Sequence, residues 1–375
     1  MTEPQRLPAA LTSLDSALTK LLDGVRAIAP VEAPLAEAMG CVAAEIAKAD
    51  ASLPAFNIAM TDGWAARAQF LAGASSYSPL LLRSPPVWVE AGDRLPDDCD
   101  CVVDESAIEP VGAMFQAVAE SVPGHGLRRA GEDLTAGSTL LQSGQRVAAT
   151  DVIAIYAGGR DMLPVRRPHV RVIAVTARDG RDASAGFIAA AAREAGARVT
   201  TSVAARDANA IAVAIEGGAQ DLLLLVGGSG IGRSDAAVTA LAKCGAVVAH
   251  GLALQPGRTA AVGRVGASPA IVIPGTPAQA LAVWFALARP VLDRLTLHAP
   301  RPMSIRPLAR KIASTIGFAE LVLLKAVDGD WLPLAAGDLP LAQIAVADAW
   351  LLVPADSEGY AAGTRVGALS LRGPA

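Results

Sequence analysis

The sequence predicts a multidomain α/β protein, and three observations carry that reading. Leu222-Leu-Leu-Leu-Val226 is a wholly apolar run bounded by Asp221 and by glycines. That is how a strand buried on both faces of a parallel sheet reads. Strand and helix patterns then alternate from Val170 to about Leu295, which predicts a doubly wound sheet. Beyond Pro300 the helical patterns stop, and short strands take over with turns at Asp328-Gly-Asp and Ser357-Glu-Gly. A small C-terminal β-barrel or sandwich is the expectation there. The 375 residues are enough for several domains of about 100–200 residues each.

In chain order, Leu14, Leu18, Leu21, Val25 and Ile28 recur every three or four residues. Residues 13–28 therefore read as an amphipathic helix with Ser13 as N-cap. A second helical stretch is expected from Leu35 to Ala49, and Pro54 makes the following segment extended. From Leu80 to Val122, short strands between Pro, Gly and Asp clusters predict a small β-rich module. Pro164 to Pro168 read as a linker. After it come a strand at Val170–Thr176, an alanine-rich helix over 183–195 and a strand near 198–203. Asp207 is placed to cap the next helix. The Leu222 strand, a helix over 234–243, the strand Ala270-Ile-Val-Ile and a helix opened by Pro277 complete the pattern.

Composition narrows the function. A net charge of −4 gives no basic footprint for nucleic acid or an anionic membrane. Hydrophobic residues make up 52%, but no uncharged apolar run of membrane-spanning length occurs. No signal-peptide pattern opens the chain, so the cytoplasm is the expected compartment. Cys41, Cys99, Cys101 and Cys244 have neither zinc-site nor disulfide-framework spacing and read as small apolar residues. The four histidines are scattered and read as surface or loop residues. The acids of 97–105 suit a turn and a wet strand face better than a metal cluster.

The stretch with the most chemistry follows the Leu222 strand. Gly227, Gly228, Gly230 and Gly232 fall within six residues, and a helical pattern begins near Ser234. Glycine amides and a helix N-terminus suit a phosphate, although a plain tight turn fits the same residues. The lysine and hydroxyl ending of a Walker loop is missing. Pro274-Gly-Thr-Pro277 ends a second strand of the same sheet. Ligands of doubly wound sheets bind at such carboxyl ends.

Taken together and in order, these motifs resemble the molybdopterin molybdenumtransferase family of molybdenum-cofactor biosynthesis, which includes the gephyrin E-domain. Pro54-Ala-Phe-Asn-Ile-Ala-Met-Thr-Asp-Gly-Trp-Ala is similar to the family's "MDGYA" region, and Arg129-Ala-Gly-Glu-Asp to its "RGEDI" loop. Gly227-Gly-Ser-Gly-Ile-Gly-Arg-Ser-Asp235 resembles "GGVSVGEAD", and Pro274-Gly-Thr-Pro resembles "PGNP". The resemblance implies an N-terminal helical and β domain over 1–52 and 125–167 and an inserted β-rich module over 53–124. A molybdopterin-binding α/β domain over 168–297 and a C-terminal β domain over 298–375 would follow. It also implies a homodimer, molybdopterin and molybdate as substrates, magnesium as cofactor, and AMP release from adenylylated molybdopterin. Carried over by position, Asp62, Asp133, Asp235 and Arg258 take catalytic places, and Asp207 and Asp235 take the metal. Gly227, Gly228, Ser229, Gly230, Gly232, Ser234, Pro274, Gly275 and Thr276 would hold the pterin.

Several positions depart from the family. Its "TGDE" reads Thr176-Ala-Arg-Asp-Gly, so the glutamate is lost from that place and Asp179 is at most a weak substitute. The threonine of "TGAP" is Ala91, and the following proline is Arg94. Two expected lysines fall on Gly251 and Gln255, and the asparagine of "PGNP" is Thr276. Arg94 and Arg258 are the cations left to compensate. Lost charge at a transition state predicts weak hydrolysis with retained binding. The family enzyme and a non-catalytic molybdopterin carrier or scaffold are thus the two main expectations, with a general phosphate-ligand enzyme as the third. Restoring Gly251→Lys with Gln255→Lys is the change that the sequence recommends as a test.

Overall fold

A computed structural model describes residues 5–177 and 183–372. The chain divides into two compact units. One comprises Met1–Glu45, Ser143–Ala148 and Leu163–Ala375, and the other Ile46–Gln142 and Ala149–Met162.

The larger unit is built on a six-stranded sheet. Its elements are α1 (Leu14–Leu22), β1 (His169–Val175), α2 (Ala183–Glu194), β2 (Arg198–Ala204), α3 (Ala208–Glu216) and β3 (Leu222–Val226). There follow α4 (Ala237–Cys244), β4 (Ala246–His250), β5 (Ala261–Val265), β6 (Ser268–Ile273) and α5 (Pro277–Val283). Strand order is β2-β1-β3-β6-β5-β4. The first four are parallel, and β5 and β4 extend the sheet antiparallel.

All five residues of β3 are buried, as its unbroken apolar run requires. Strand side chains alternate, so Leu222, Leu224 and Val226 face α1, α2 and α5, while Leu223 and Leu225 face α3 and α4. Each such leucine contributes about 1.5–3 kcal/mol by leaving water. Asp207 caps α3 as expected, and Ser13 caps α1.

Helix α1 is shorter than its apolar period. It stops at Leu22 because Gly24 adopts φ 66, and Ile28 then donates its N–H to Leu295 O at 2.9 Å. Val25 and Ile28 still join the core, so the period marked packing beyond the helix. The helix expected over Leu35 to Ala49 ends at Ala38. Gly40 turns the chain at φ 80, and Val42 and Ala43 then pair with Arg166 and Val165. Helix α4 begins at Ala237 rather than near Ser234.

The C-terminal stretch is strand-dominated, with one helix at Leu341–Val346. Five of its strands form one sheet with Leu252–Gln255 and Thr12–Ser13, where Leu254 pairs with Ala319 and Gln255 with Glu320, while Ile312–Ala313 and Gly359–Tyr360 pair with each other. Phe285 stacks on Trp350 with ring centroids 4.6 Å apart, tying this sheet to the helical residues after α5. No helix among the described residues is long and apolar enough to cross a membrane.

In the smaller unit, Gly63–Ala66 lies between Val87–Val89 and Cys101–Val103, and Trp64 packs edge-on against Trp88. Cys41 and Cys101 are buried and no cysteine is paired. Burial pushes the Cys99 thiol up to about 11, so it stays protonated near neutral pH.

The glycine of the Asp62-Gly63-Trp64 motif has a packing reason. A β-carbon on Gly63 would lie 2.2 Å from Val103 O, so the neighbouring strand would have to move. Gly63→Ala should therefore cost roughly 1–3 kcal/mol. Chemical denaturation checks it, and wild-type stability would refute the close approach.

Candidate functional site

A pocket of about 790 Å³ opens at the carboxyl ends of β1, β3 and β6. Gly227, Gly228, Ser229 and Gly230 form one wall, and Pro274, Gly275 and Thr276 form another. The walls touch where a β-carbon on Gly275 would lie 3.4 Å from Gly227 Cα. Ser184 Oγ donates to Gly275 O at 2.7 Å and holds the second wall. Thr276 precedes α5, with Pro277 at the first helical position as expected.

The glycine loop is held from behind. Gln5 Nε2 donates to Gly228 O at 3.0 Å and Gly230 O at 2.7 Å. His250 Nε2 donates to the intervening Ser229 O at 2.9 Å. A trans peptide points the C=O of one residue and the N–H of the next in opposite directions. The amides of Ser229, Gly230 and Ile231 are thus turned away from these two side chains. None of the three has a hydrogen-bond partner among the described residues. Consecutive unpaired amides of this kind form an anion-binding concavity.

The anion expectation needs one correction. The first-turn amides of α4 are not available to a ligand, because Val238 and Thr239 donate to Gln5 Oε1 at 2.8 and 3.1 Å. Ala236, the N-cap, contributes no side-chain bond. The site therefore rests on loop amides rather than on the helix end.

Arg206 and Asp235 are the charged residues lining the pocket among those described. They pair at 2.7 Å with side chains 25% and 14% exposed. The second Asp235 oxygen accepts from Gly232 N at 3.0 Å, which closes the loop upon itself. Sequence reasoning missed Arg206, Gln5 and His250. Arg206 adjoins the Asp207 cap, a nearness in sequence that carries no periodic signal.

The remaining sequence-derived positions are placed elsewhere. Gly232, Ser234 and Arg258 do not line the pocket, and Arg258 is exposed. Asp207 turns its carboxylate to Ala210 N and Asn209 N, the bonds that lower its pKa. In the smaller unit, Asp62 accepts from Ala91 N at 2.8 Å, and Asp133 pairs with Arg128. Arg94 pairs with Asp97 and lies over the Phe56 ring. Asp179 lies outside the described residues.

The described residues engage both aspartates expected to take magnesium. They contain no group of three or more His, Cys, Asp or Glu side chains able to hold a metal. The metal pair expected from the resemblance is divided, since Asp207 serves a helix end and Asp235 faces a guanidinium.

Gly251 shows why one expected lysine is absent. Its φ is 86, and a β-carbon there would meet Leu7, Pro8 and Leu11 at 3.0–3.2 Å. Thr12 N donates to Gly251 O at 3.0 Å in the same stretch. The N-terminal segment thus occupies the side-chain space, and Gly251→Lys cannot be used as a simple restoration.

Known proteins share sequence and fold with this chain. The family described as "MoeA N-terminal region (domain I and II)" matches residues 12–159. "Probable molybdopterin binding domain" matches residues 154–294. Molybdopterin molybdenumtransferase 2 of Mycobacterium tuberculosis (strain CDC 1551 / Oshkosh) is 30% identical over 317 residues, covering 74% of this chain and 78% of that protein. The chain belongs to the molybdopterin molybdenumtransferase family. The Bacillus subtilis molybdopterin molybdenumtransferase is 25% identical, with 88% and 87% coverage. A crystal structure of the molybdopterin biosynthesis MoeA protein of Pyrococcus horikosii shares the fold, with a TM-score of 0.70 at 23% identity. It covers 97% of this chain and 100% of that one. The chain is thus a member, at modest identity, of a family of molybdenum-cofactor biosynthesis.

The Asp207 cap makes a pH prediction. A carboxylate whose folded pKa is lowered adds stability above its unfolded pKa and loses it as pH falls through the folded value. Asp207→Ala should lower the thermal midpoint at neutral pH and show a smaller further loss on acidification. Asp207→Asn should keep most of the neutral-pH midpoint, because asparagine caps equally well. Thermal melts from neutral pH down through the carboxylate range test both. A neutral-pH midpoint unchanged in Asp207→Ala would refute the capping role.

Proposed function

We propose that this chain binds molybdopterin by its phosphate at the glycine-loop pocket and releases AMP from adenylylated molybdopterin slowly or not at all. The row of Ser229, Gly230 and Ile231 amides beside the Arg206–Asp235 pair is the observation that carries the reading. Amides without internal partners match phosphate oxygens, and a guanidinium adds charge-assisted bonds. Arg206 would exchange part of its contact with Asp235 for the ligand.

The same geometry supports weak hydrolysis. Asp235 is engaged by Arg206 and Gly232, Asp207 by its helix, and the Gly251 position offers no cation. One missing charged donor at a transition state costs about 2.7–4 kcal/mol, or 100–1,000-fold in rate. Binding does not depend on those groups to the same degree. Single-turnover AMP release with adenylylated molybdopterin, molybdate and magnesium is the deciding experiment. Release at the rate of an ordinary family member would overturn the weak-hydrolysis reading.

Two variants test the pocket. Gly275→Ala places a β-carbon 3.4 Å from Gly227 Cα at a φ that needs no glycine, so molybdopterin binding should weaken with little change in thermal midpoint. Arg206→Ala should weaken binding roughly 10- to 100-fold, the usual range for a hydrogen bond to a charged group. Anaerobic titration with molybdopterin reads both. Wild-type affinity in both variants would place the ligand elsewhere.

A further inference from the structure

The geometry points to Gln5 as the positioning residue that keeps the glycine loop receptive to an anion, an inference that rests on the pocket reading above. Gln5 does not line the pocket, yet it is only 8% exposed. Both of its donor positions and its acceptor are used on one loop and one helix end. Drawing the Gly228 and Gly230 carbonyls toward Nε2 turns the Ser229 and Ile231 amides the opposite way.

The loop fixes this orientation only in part: Ala237 N also donates to Gly228 O at 3.1 Å, whereas Gly230 O is held by Gln5. Gly227 and Gly228 sit at φ 99 and 68, and glycine passes between conformations at little cost. A reversed peptide plane would aim a carbonyl oxygen at the ligand phosphate, replacing attraction with repulsion. A glutamine amide suits the task because its ends are opposite in kind. The –NH2 serves the carbonyls, and the oxygen serves the amides of Val238 and Thr239. That second contact also removes the α4 amides from competition for the anion.

The rest of the N-terminal segment anchors Gln5. Leu7, Pro8 and Leu11 pack over Gly251, and Thr12 and Ser13 pair with Leu252 and Ala253. The segment that excludes a side chain at Gly251 is therefore the one that delivers Gln5.

Three variants of the full chain separate positioning from stability, read by anaerobic molybdopterin titration and thermal melting. Gln5→Ala should weaken affinity roughly tenfold or more, because Gly230 O and the amides of Val238 and Thr239 lose their partner and Gly228 O keeps only Ala237 N. Gln5→Glu keeps an acceptor for Val238 and Thr239 but offers no donor to the loop, so it should bind as weakly as Gln5→Ala. Leu351→Ala weakens the C-terminal core without touching the N-terminal segment or the loop, and should lower the melting midpoint with affinity unchanged. Wild-type affinity in Gln5→Ala, full affinity in Gln5→Glu, or an equal loss in Leu351→Ala would each overturn the inference. Hydrogen exchange over 226–239 in ligand-free protein gives an independent reading, with faster exchange expected in Gln5→Ala. A wild-type protein that binds no molybdopterin would refute the pocket reading instead. Exchange alone would then decide for Gln5, and an unchanged rate would refute it.

Discussion

Strand β3 is buried on both faces, and this constraint sets much of the larger unit. With no water at either face, its backbone groups must pair with β1 and β6, and its side chains must be apolar on both sides. The chain can meet polar groups again only where β3 ends. There the next residues turn sharply between β1 and the start of α4, within 3.0 Å of Val175 O for a β-carbon on Gly227. Glycine at φ 99 and 68 meets both demands. The pocket is thus a consequence of where a fully buried strand must stop.

Charge in the pocket is arranged sparingly. A carboxylate that is 14% exposed is costly unless paired, and Arg206 supplies the partner at 2.7 Å. Removing one member of such a pair leaves the other uncompensated, which costs more than the pair itself stabilises. Arg206 therefore has two roles that oppose each other. It neutralises Asp235 in the empty pocket and is the nearest described cation for an arriving anion.

One departure from the family, Gly251, is tied to the N-terminal segment. Gly251 is left-handed and covered by Leu7, Pro8 and Leu11, so its lack of a side chain and the path of that segment depend on each other. The segment then reaches the glycine loop through Gln5 and leads into Thr12–Ser13 of the C-terminal sheet. The space a side chain at Gly251 would need is taken by the segment that braces the loop.

Repeating patterns were legible without the structure. The apolar run of Leu222–Val226, the alternation after Val170, the Asp207 cap and Pro277 each reflect a local rule of burial or backbone geometry. The glycine loop and the Pro274-Gly-Thr wall were legible for the same reason, as glycine and proline mark the backbone directly. Boundaries were less so: Val25 and Ile28 keep the helical period beyond Leu22 because they pack on the same core, while Gly24 has already ended the helix. What only tertiary structure decided was which partner each polar group takes. Gln5 lies 223 residues from Gly228 and carries no pattern of its own. Asp207 and Asp235 are alike as aspartates, yet one caps a helix and the other meets Arg206. Sequence period reports how a residue is buried, whereas hydrogen-bond partners across a fold depend on where distant segments cross.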